Sequence, residues 1–406
     1  MRTLEGVKVL DFTFNLAAPV ASMLLADMGC DVVKIEAPKT GDFFRLAQRP
    51  KIAENCSYLF FNINRNKKNI VLNLANPKGK EVALKLAKSA DVVMENFRPG
   101  VMKRLGLDHE SILKMNPKVI YASLTGYGYT GPYADRPGYD LIAKADSGWM
   151  TAVAPEGGPP VAGPNGAVDT ATGVYMAFAV AAALYRRTID QKSERIDISL
   201  FDVSSFYIAL YGTGDYFIHN RDVDKWWIKD EDGTLRPGHA VLAPFEGFQT
   251  KDGKWVAVAA ITNDLWSDFC HALGLDNLIK DERFATPPAR TDHKRELRAI
   301  IKDIFLKKTR SEVIKILEEA EVPCAPIRTS KEALEHPQMK ARNMLVEVPF
   351  WDGRKFKIVG QPAKFLTHPA EEFFPIGPLG AQTEEVLREL GYSSEQIEQM
   401  RKEGVI

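Results

Sequence analysis

Short apolar runs alternate with segments of helical periodicity over the first 125 residues. The pattern predicts strands at 7–12, 31–35, 69–74, 91–94 and 118–124, with helices at 18–28 and 78–89. Apolar strands separated by helices are typical of βαβ units, in which a parallel sheet is buried on both faces. The pattern therefore predicts an α/β fold with a Rossmann-like, doubly wound sheet.

A stretch rich in Gly and Pro at 126–165 separates this region from a long helix. Such a stretch suits active-site loops. The helix is predicted at 170–187, and it is rich in Ala and apolar nearly all round, so we expect it to be buried. A further strand is predicted at 195–200.

The rest of the pattern indicates a second, smaller domain. Two strands are predicted within 247–261, joined by a turn at 250–253, and helices follow near 264–274, 293–307 and 310–321. The chain is β-like from about 345 and ends in helices near 383–390 and 394–402. We predict a large Rossmann-like domain from 1–200 and 346–406, a small α+β domain at 241–325, and linkers at 201–240 and 326–345.

Composition and charge argue against several classes of protein. Hydrophobic residues make up 45% of the chain, enough for a substantial core, and Lys+Arg equal Asp+Glu at 53 each. That balance argues against a nucleic-acid partner. We see neither a secretory signal nor an apolar run of the roughly 20 residues that span a bilayer. We therefore expect a cytoplasmic protein with no membrane partner.

The cysteines and histidines give no sign of a disulfide framework or a metal site. The four cysteines are far apart and form no CxxC pair, and the seven histidines form no HExxH or HxH cluster. Widely spaced cysteines in a long chain are typical of free thiols in a reducing compartment. We therefore predict no bound metal.

The first βα turn lacks the glycines of a dinucleotide site. Nicotinamide cofactors need glycines there, so that the backbone can approach the pyrophosphate. Residues 13–19 contain none, and Glu36 at the end of the second strand is weak support on its own. No P-loop sequence occurs either, so we predict no permanently bound cofactor. The turn still offers free N–H donors at a helix start, which suit a phosphate or a carbonyl oxygen.

Asp169 precedes the long apolar helix and follows a glycine-rich approach. Spacing alone favours a helix N-cap, in which the carboxylate accepts backbone N–H bonds. The same place suits a nucleophile, because the helix end favours an ionised carboxylate and its N–H groups stabilise a nearby oxyanion. A carboxylate can attack an activated acyl group. No GxSxG elbow and no convincing Cys/His pair competes for this role.

Motifs along nearly the whole chain resemble those of the family III CoA-transferases, the group of formyl-CoA and carnitine CoA-transferases. The matching segments, in order, are LEGVKVLDF (4–12), AP (18–19), LLADMG (24–29), VKIE (33–36), NRNKK (64–68), ENFRPG (95–100), RLG (104–106), TGYG (125–128), GP (131–132), RPGYD (136–140), Asp169, RIDISL (195–200), PLG (378–380) and EVLRELGY (385–392). Each piece is a weak signal, but their order and spacing together are specific.

The resemblance implies transfer of coenzyme A from an acyl-CoA donor to a free carboxylic acid, with CoA and acyl-CoA as substrates. In the family an aspartate attacks the thioester, and the reaction proceeds through aspartyl anhydride and aspartyl-CoA intermediates. Asp169 stands at that position. No ATP or metal is needed. The resemblance also implies an interlocked homodimer of ring-shaped subunits.

The resemblance also implies a set of site residues. Asp140 matches an acidic position that orients the nucleophile. The positions implied for the CoA site are Leu16, Ala17, Leu72, Asn96, Phe97, Arg98, Arg104 and Tyr139. Lys39 is added as a further cation for a phosphate, and Gly238 is assigned to a glycine loop that covers the nucleophile.

Two other functions stay open. The first is an α-methylacyl-CoA racemase, which removes the proton α to the thioester with paired aspartate and histidine bases. Its histidine is expected in a Gly-His-Asp triplet, and here Tyr139 takes the place of that histidine. Tyrosine, with a pKa near 10, is a poor base, which argues against this function. The second is a non-catalytic protein that binds CoA esters on the same fold.

Overall fold

The computed structural model describes residues 2–47, 50–154, 158–219, 227–229, 235–237, 242–369 and 372–406. The chain divides into two compact units. Unit 1 consists of Met1–Ser147, Pro164–Tyr207 and Pro337–Ile406, and unit 2 consists of Gly148–Gly163 and Ile208–His336.

The first half of the chain alternates strands and helices, as predicted. Its elements are β1 (Lys8–Asp11), α1 (Ala17–Asp27), β2 (Asp31–Glu36), α2 (Phe43–Ala47), β3 (Lys51–Ala53), β4 (Cys56–Ser57), α3 (Tyr58–Ile63), β5 (Lys67–Val71), α4 (Pro77–Ser89), β6 (Val92–Glu95), α5 (Val101–Leu105), α6 (His109–Leu113), β7 (Ile120–Thr125), α7 (Asp140–Asp146), α8 (Trp149–Ala152), α9 (Ala167–Asp190) and β8 (Glu194–Ser199). The strands and helices predicted here are confirmed, with ends that differ by a few residues.

Six parallel strands form the sheet at the centre of unit 1. Their order is β5-β2-β1-β6-β7-β8, and Leu10 of β1 lies opposite Val33 of β2 and Val93 of β6. The order reverses between β1 and β6, so the loops after these strands diverge and open a crevice at their carboxyl ends. The predicted α/β fold with a parallel sheet is confirmed, and its strand order is that of a doubly wound sheet.

The strands are apolar because helices cover both faces of the sheet. All residues of β6 and β7 are buried, which explains their continuous apolar runs. Helix α4 starts at an Asn76 cap followed by Pro77 and buries Val82, Ala83 and Ala87 on one side. That side packs in the core cluster with residues of the sheet and of the chain's C-terminal segment.

Helix α9 is longer and less buried than predicted. It packs against α1, and Gly173 is required there because a Cβ would lie 2.4 Å from the carbonyl oxygen of Ala17. The other side of the helix exposes large apolar side chains, among them Phe178 and Tyr185 at 70% and 71%. The expectation of burial all round is therefore wrong, because the composition is apolar on every side but only one side packs in the described chain. This helix has the length and apolarity of a membrane span, but it packs as a core helix of unit 1.

The second half of the chain contributes to both units. Its elements are α10 (Leu200–His219), β9 (Trp227–Lys229), β10 (Leu235–Pro237), β11 (Phe245–Gln249), β12 (Trp255–Ala259), α11 (Asn263–Leu273), α12 (Pro287–Asp292), α13 (Lys294–Phe305), α14 (Arg310–Glu319), β13 (Cys324–Pro326), α15 (Ser330–Leu334), α16 (Pro337–Ala341), β14 (Leu345–Pro349), β15 (Lys355–Val359), α17 (Thr383–Glu389) and α18 (Ser394–Lys402). The hairpin, the three helices that follow it and the two C-terminal helices are confirmed. Helix α10 occupies the first part of the stretch interpreted as a linker.

Unit 2 has its own core. Strands β11, β12 and β13 form an antiparallel sheet, and helices α11, α13 and α14 pack on it through side chains that include Trp266, Phe269, Ile301 and Leu317.

The C-terminal segment covers the β5 edge of the central sheet in unit 1. The side-chain oxygens of Gln382 and Thr383 accept the N–H groups of Asn69 and Val71, each at 3.0 Å. These bonds satisfy donors of an edge strand. The C-terminal segment thereby packs on the edge of the sheet that the N-terminal half of the chain forms.

Candidate active site

A cavity of about 280 Å³ opens at the carboxyl ends of the central strands in unit 1. It lies where the strand order reverses, the position at which open α/β sheets bind ligands. Its walls come from the loops after β1, β6 and β7, from α2 and from the first turn of α9. The lining residues are Phe14, Asn15, Leu16, Ala17, Phe43, Phe44, Asn96, Phe97, Arg98, Pro99, Leu124, Thr125, Gly126, Arg136, Pro137, Gly138, Tyr139, Asp169 and Leu200.

Asp169 lies in the first turn of α9, not at its cap. The helix begins at Ala167, and its N-cap is Gly166 with a φ of +70°. The side chain of Asp169 is therefore not engaged in capping, and the N-cap prediction is wrong. The glycines of the approach allow the helix to begin three residues earlier than the spacing suggested.

Asp140 performs the capping role from another helix. It is the first residue of α7, and its Oδ1 accepts the N–H groups of Val168 at 2.9 Å and of Asp169 at 3.2 Å. Its Oδ2 accepts the N–H of Gly166 at 3.4 Å and forms an ion pair with Lys144 at 2.7 Å. Asp140 thus fixes the backbone on which Asp169 is carried.

Burial and the neighbouring charge of Asp140 raise the pKa of Asp169 to about 7, while Lys144 acts in the opposite direction. The N–H groups at this helix end already have acceptors. Those of Gly166, Val168 and Asp169 bond Asp140, and that of Ala167 bonds the Pro164 carbonyl. The expectation that these groups stabilise an oxyanion is therefore wrong.

Free donors are found instead at the start of α1. Among the described residues, no acceptor pairs with the N–H groups of Leu16, Ala17 and Ala18, and Pro19 has none to offer. Leu16 gives no side-chain cap. Leu16 and Ala17 line the cavity, so this turn presents donors and a positive helix end to a ligand. The prediction of free donors in this turn is confirmed.

Buried charges hold that turn in place. Asn15 has a φ of +67°, and its N–H donates to Asp42 Oδ1 at 3.2 Å, which also accepts the Phe44 N–H at 2.9 Å. Lys34 forms an ion pair with Asp42 at 3.0 Å and donates to the carbonyl of Thr13. Burial opposes the charge on Lys34, but the surrounding carboxylates, Asp42 first, raise its pKa. One ammonium group therefore joins the turn after β1 to the start of α2.

Glu36 is engaged within the protein. Its two oxygens accept Nε and Nη2 of Arg45, each at 2.7 Å, and Oε2 also accepts the Asp42 N–H. Both side chains of this ion pair are about 1% exposed. Glu36 is therefore unavailable to bind a ribose hydroxyl, which removes the remaining support for a nicotinamide site.

Asn96 joins the loop after β6 to the loop after β1. Its Oδ1 accepts the Phe14 N–H at 2.9 Å and its Nδ2 donates to the Phe14 carbonyl at 2.8 Å. The rings of Phe14 and Phe97 lie 5.2 Å apart. This pairing fixes the two walls of the cavity relative to each other.

The structure brings together most of the predicted site residues. Asp169, Leu16, Ala17, Asn96, Phe97, Arg98 and Tyr139 line the cavity, and Asp140 lies behind Asp169. Outside the lining are Lys39 on an exposed turn, Leu72 in the core and Arg104, which is exposed on α5; their roles in CoA binding stay predictions. Gly238 lies outside the described residues.

Several lining residues were missed. Phe43 and Phe44 follow β2 on a helix whose approach to the cavity has no local sequence signal. Arg136 lies in the RPGYD motif and was detectable as a second guanidinium of the cavity beside Arg98. Gly126 and Gly138 pack so closely that a Cβ on either would lie about 2.5 Å from the other's Cα. This close approach holds the loops around Tyr139 in place.

A family model and several known proteins match this chain over nearly its whole length. The model of CoA-transferase family III matches residues 4–383. Human succinyl-CoA:glutarate CoA-transferase is 33% identical over 100% of this chain and 90% of its own length. Formyl-CoA:oxalate CoA-transferase of Rhodopseudomonas palustris (strain BisA53) is 32% identical over 100% of this chain and 97% of its own.

A solved structure agrees with the fold. The crystal structure of a CAIB/BAIF family protein from Brucella suis superposes with a TM-score of 0.79 at 30% identity, covering 96% of this chain and 99% of that one. The family model and relatives of nearly equal length match the chain. The cavity at the switch point of the sheet, which Asp169 lines, agrees with these matches. The chain therefore belongs to CoA-transferase family III and is an enzyme that transfers coenzyme A.

Proposed function

We propose that the enzyme moves coenzyme A from an acyl-CoA donor to a free carboxylic acid, with the Asp169 carboxylate as nucleophile. The observation that carries the proposal is the position of Asp169. Asp169 lines the cavity at the switch point, and its backbone N–H donates to Asp140. Asp140 serves as the residue that orients the nucleophile.

In each step of the proposed reaction an acyl–sulfur bond and an acyl–oxygen bond are exchanged one for the other, and the enzyme neither gains nor loses a proton overall. Asp169 attacks the thioester carbonyl, the C–S bond breaks, and CoA leaves as a thiolate, which gives an acyl-aspartyl anhydride. The thiolate attacks the aspartyl carbon of that anhydride, which releases the donor acid and leaves an aspartyl-CoA thioester.

The second half reverses these steps with the acceptor. The acceptor carboxylate attacks the aspartyl-CoA thioester, giving a second anhydride and CoA thiolate. The thiolate then attacks the acceptor's acyl carbon, so the new acyl-CoA forms and the Asp169 carboxylate is regenerated. One thioester replaces another, so the reaction needs no ATP, and CoA esters are its substrates.

The free donors of α1 suit the oxyanion of these steps. A tetrahedral centre next to Asp169 develops negative charge on oxygen, and fixed N–H groups stabilise it strongly when water is excluded. The N–H groups of Leu16 and Ala17 have no acceptor within the described chain and belong to residues that line the same cavity. Both polar atoms of the Asn96 side chain bond the backbone of Phe14, so Asn96 holds this turn in place and does not itself donate to the oxyanion.

We place the acyl-CoA along the loops after β1 and β6. Arg98 lines the cavity, and a guanidinium binds phosphate in a bidentate manner. Phe97 and Tyr139 offer aromatic surface, while Lys39 on a turn and Arg104 on α5 supply exposed cations in the same unit. Leu72 is buried, so a contact with CoA would use its backbone.

The acceptor acids are proposed to be short dicarboxylic acids. The relatives above are named for the donors succinyl-CoA and formyl-CoA and for the acids glutarate and oxalate, and both of these acids carry two carboxylates. The cavity of about 280 Å³ has a second guanidinium, Arg136, in its lining. One carboxylate of the acid would react at Asp169, and the other would pair with this cation.

The enzyme is also proposed to be a cytoplasmic homodimer with interlocked subunits. Exposed apolar side chains along α9, such as Val174, Phe178 and Tyr185, support a partner on this side. Light scattering coupled to size-exclusion chromatography measures the oligomeric state, and a monomer at micromolar concentration would contradict the proposal.

A mass-spectrometric screen tests the transfer reaction. Acyl-CoA donors are combined with a panel of carboxylic acids, and the new CoA esters are identified. We expect transfer to short dicarboxylates, and a loss of roughly a thousandfold or more in kcat for Asp169→Asn. Loss of an α-deuterium from a CoA ester without exchange of acids would instead support the racemase. Binding of CoA esters with neither reaction would contradict the proposal.

A further inference from the structure

Lys144 is a buried cation directly behind the reactive acid. It lies one turn after Asp140 on α7, and its side chain is 1% exposed. Its ammonium group contacts Asp140 Oδ2 at 2.7 Å and donates to the carbonyl of Pro164 at 2.6 Å. A lysine is rarely so completely buried unless it is paired.

Both partners of Lys144 help to hold the segment that leads to Asp169. Pro164 begins the approach to α9, and Asp140 accepts three N–H groups from the residues that follow. The Lys144 ammonium group and the Asp140 carboxylate therefore bond the two ends of the segment 164–169 to α7. Because the carboxylate oxygens of Asp140 are shared between the ammonium and the backbone, movement of one contact disturbs the others.

Lys144 is the cation whose charge acts on Asp169. Burial and Asp140 raise the pKa of Asp169, and Lys144 is the cation that lowers it. Arg98 and Arg136 line the cavity, and Asp146 at the far end of α7 accepts the Tyr127 hydroxyl at 3.0 Å. Two carboxylates and one ammonium group thus form a small buried cluster.

We propose that Lys144 is a positioning residue of the transfer reaction, which holds Asp140 in its bonds to the 164–169 segment so that the Asp169 carboxylate can act as nucleophile. This rests on the proposed role of Asp169. Without the ammonium group the charge of Asp140 would act on Asp169 with no ammonium beside it, so the Asp169 carboxyl would ionise only at higher pH. Lys144 would touch neither the acyl group nor CoA.

The pH dependence of kcat/KM separates this role from a merely structural one. We expect the acid limb of the profile to move up by about one pH unit or more in Lys144→Met. Asp140→Asn should move it down, because a negative charge is lost while the cation stays. The double variant should lie between the two single variants, and Lys144→Arg should restore part of the shift. A structural role would lower Tm and leave the limb unmoved.

A second readout does not depend on turnover. Infrared difference spectra between low and high pH report protonation of carboxyl groups, and Asp169→Asn identifies the band of Asp169. The midpoint of that band should follow the same order among the variants. If Lys144→Met does not fold, the double variant is compared with Asp140→Asn, since removal of both partners leaves no unpaired buried charge.

The outcomes separate this proposal from the function itself. An unmoved limb and an unmoved infrared midpoint in Lys144→Met, with covalent labelling of Asp169 intact, would overturn the positioning role alone. Equal midpoints in the double variant and Asp140→Asn would do the same. Absence of any covalent label on Asp169 in the unmodified enzyme would instead overturn the proposed function.

Discussion

Asp140 accepts the backbone N–H of Asp169 at 3.2 Å, so one carboxylate holds the helix turn that carries another. The two acids have different surroundings. Asp140 is bonded to three N–H groups and to Lys144, whereas burial and the charge of Asp140 raise the pKa of Asp169. Two neighbouring acids with such different surroundings are typical of active sites in which one group is structural and the other reacts.

The rate of transfer should depend on ionisation of Asp169. A nucleophilic carboxylate must be deprotonated, and its pKa is raised to about 7 in the free enzyme. We therefore expect kcat/KM to rise with pH below about 7 and to level off above it, because kcat/KM reports the free enzyme. Steady-state rates in buffers of constant ionic strength measure the profile. A flat profile between pH 5.5 and 8 would show that Asp169 does not control the rate.

Replacement of Asp169 should stabilise the enzyme at neutral and higher pH. A carboxyl with a raised pKa favours the protonated form in the folded state, so stability is lost as pH rises from the ordinary value of 3.8 to about 7. At about 1.4 kcal/mol per pH unit this is up to about 4 kcal/mol. Asp169→Asn should therefore unfold at a higher Tm above pH 7, and the difference should vanish near pH 4. A lower Tm for the variant at pH 8 would contradict the raised pKa.

Loss of the Lys34 ammonium group should loosen the turn after β1. Lys34→Met leaves Asp42 buried without its cation, which costs about 3–5 kcal/mol in the free energy of unfolding. Because Asp42 also holds the Asn15 and Phe44 N–H groups, the KM for acyl-CoA should rise. Denaturant unfolding and steady-state kinetics measure the two effects. Arg388→Ala removes an exposed ion pair on α17 and should change neither.

The two cavity arginines should have different roles. Arg136→Gln should raise the KM for a dicarboxylic acceptor roughly tenfold or more and leave that for the acyl-CoA donor nearly unchanged, since a charged hydrogen bond is worth about 1.5–3 kcal/mol. Arg98→Gln is the matched control and should mainly raise the KM for the donor. The same assays with a monocarboxylate of equal length should show little effect of Arg136→Gln. An equal response of donor and acceptor to both variants would refute the assignment.

Much of the fold follows from sequence periodicity. Buried strands such as β6 and β7 have continuous apolar runs, and α4 has both a capping Asn76 and an apolar stripe. These are local signals, so their positions could be predicted to within a few residues. The long α9 was placed correctly too, but its exposed side depends on what packs against it, which composition does not contain.

The candidate site was less predictable because tertiary contacts decide it. The capping of α9 by Asp140 joins residues about 30 positions apart, and no spacing rule connects them. The same holds for the N–H groups, which have acceptors at the start of α9 and none within the described residues at the start of α1. Motif resemblance located Asp169, Asn96 and Arg98, whereas the contribution of Phe43 and Phe44 required the folded chain.

Covalent capture of the nucleophile tests the account most directly. The enzyme is incubated with an acyl-CoA donor identified in the screen, hydroxylamine is added, and peptides are analysed by mass spectrometry, with Asp169→Asn as control. We predict an aspartyl hydroxamate at Asp169 that requires the acyl-CoA and is absent from the variant. Transfer that proceeds at the normal rate without a modification of Asp169, or with the label on another residue, would contradict the account.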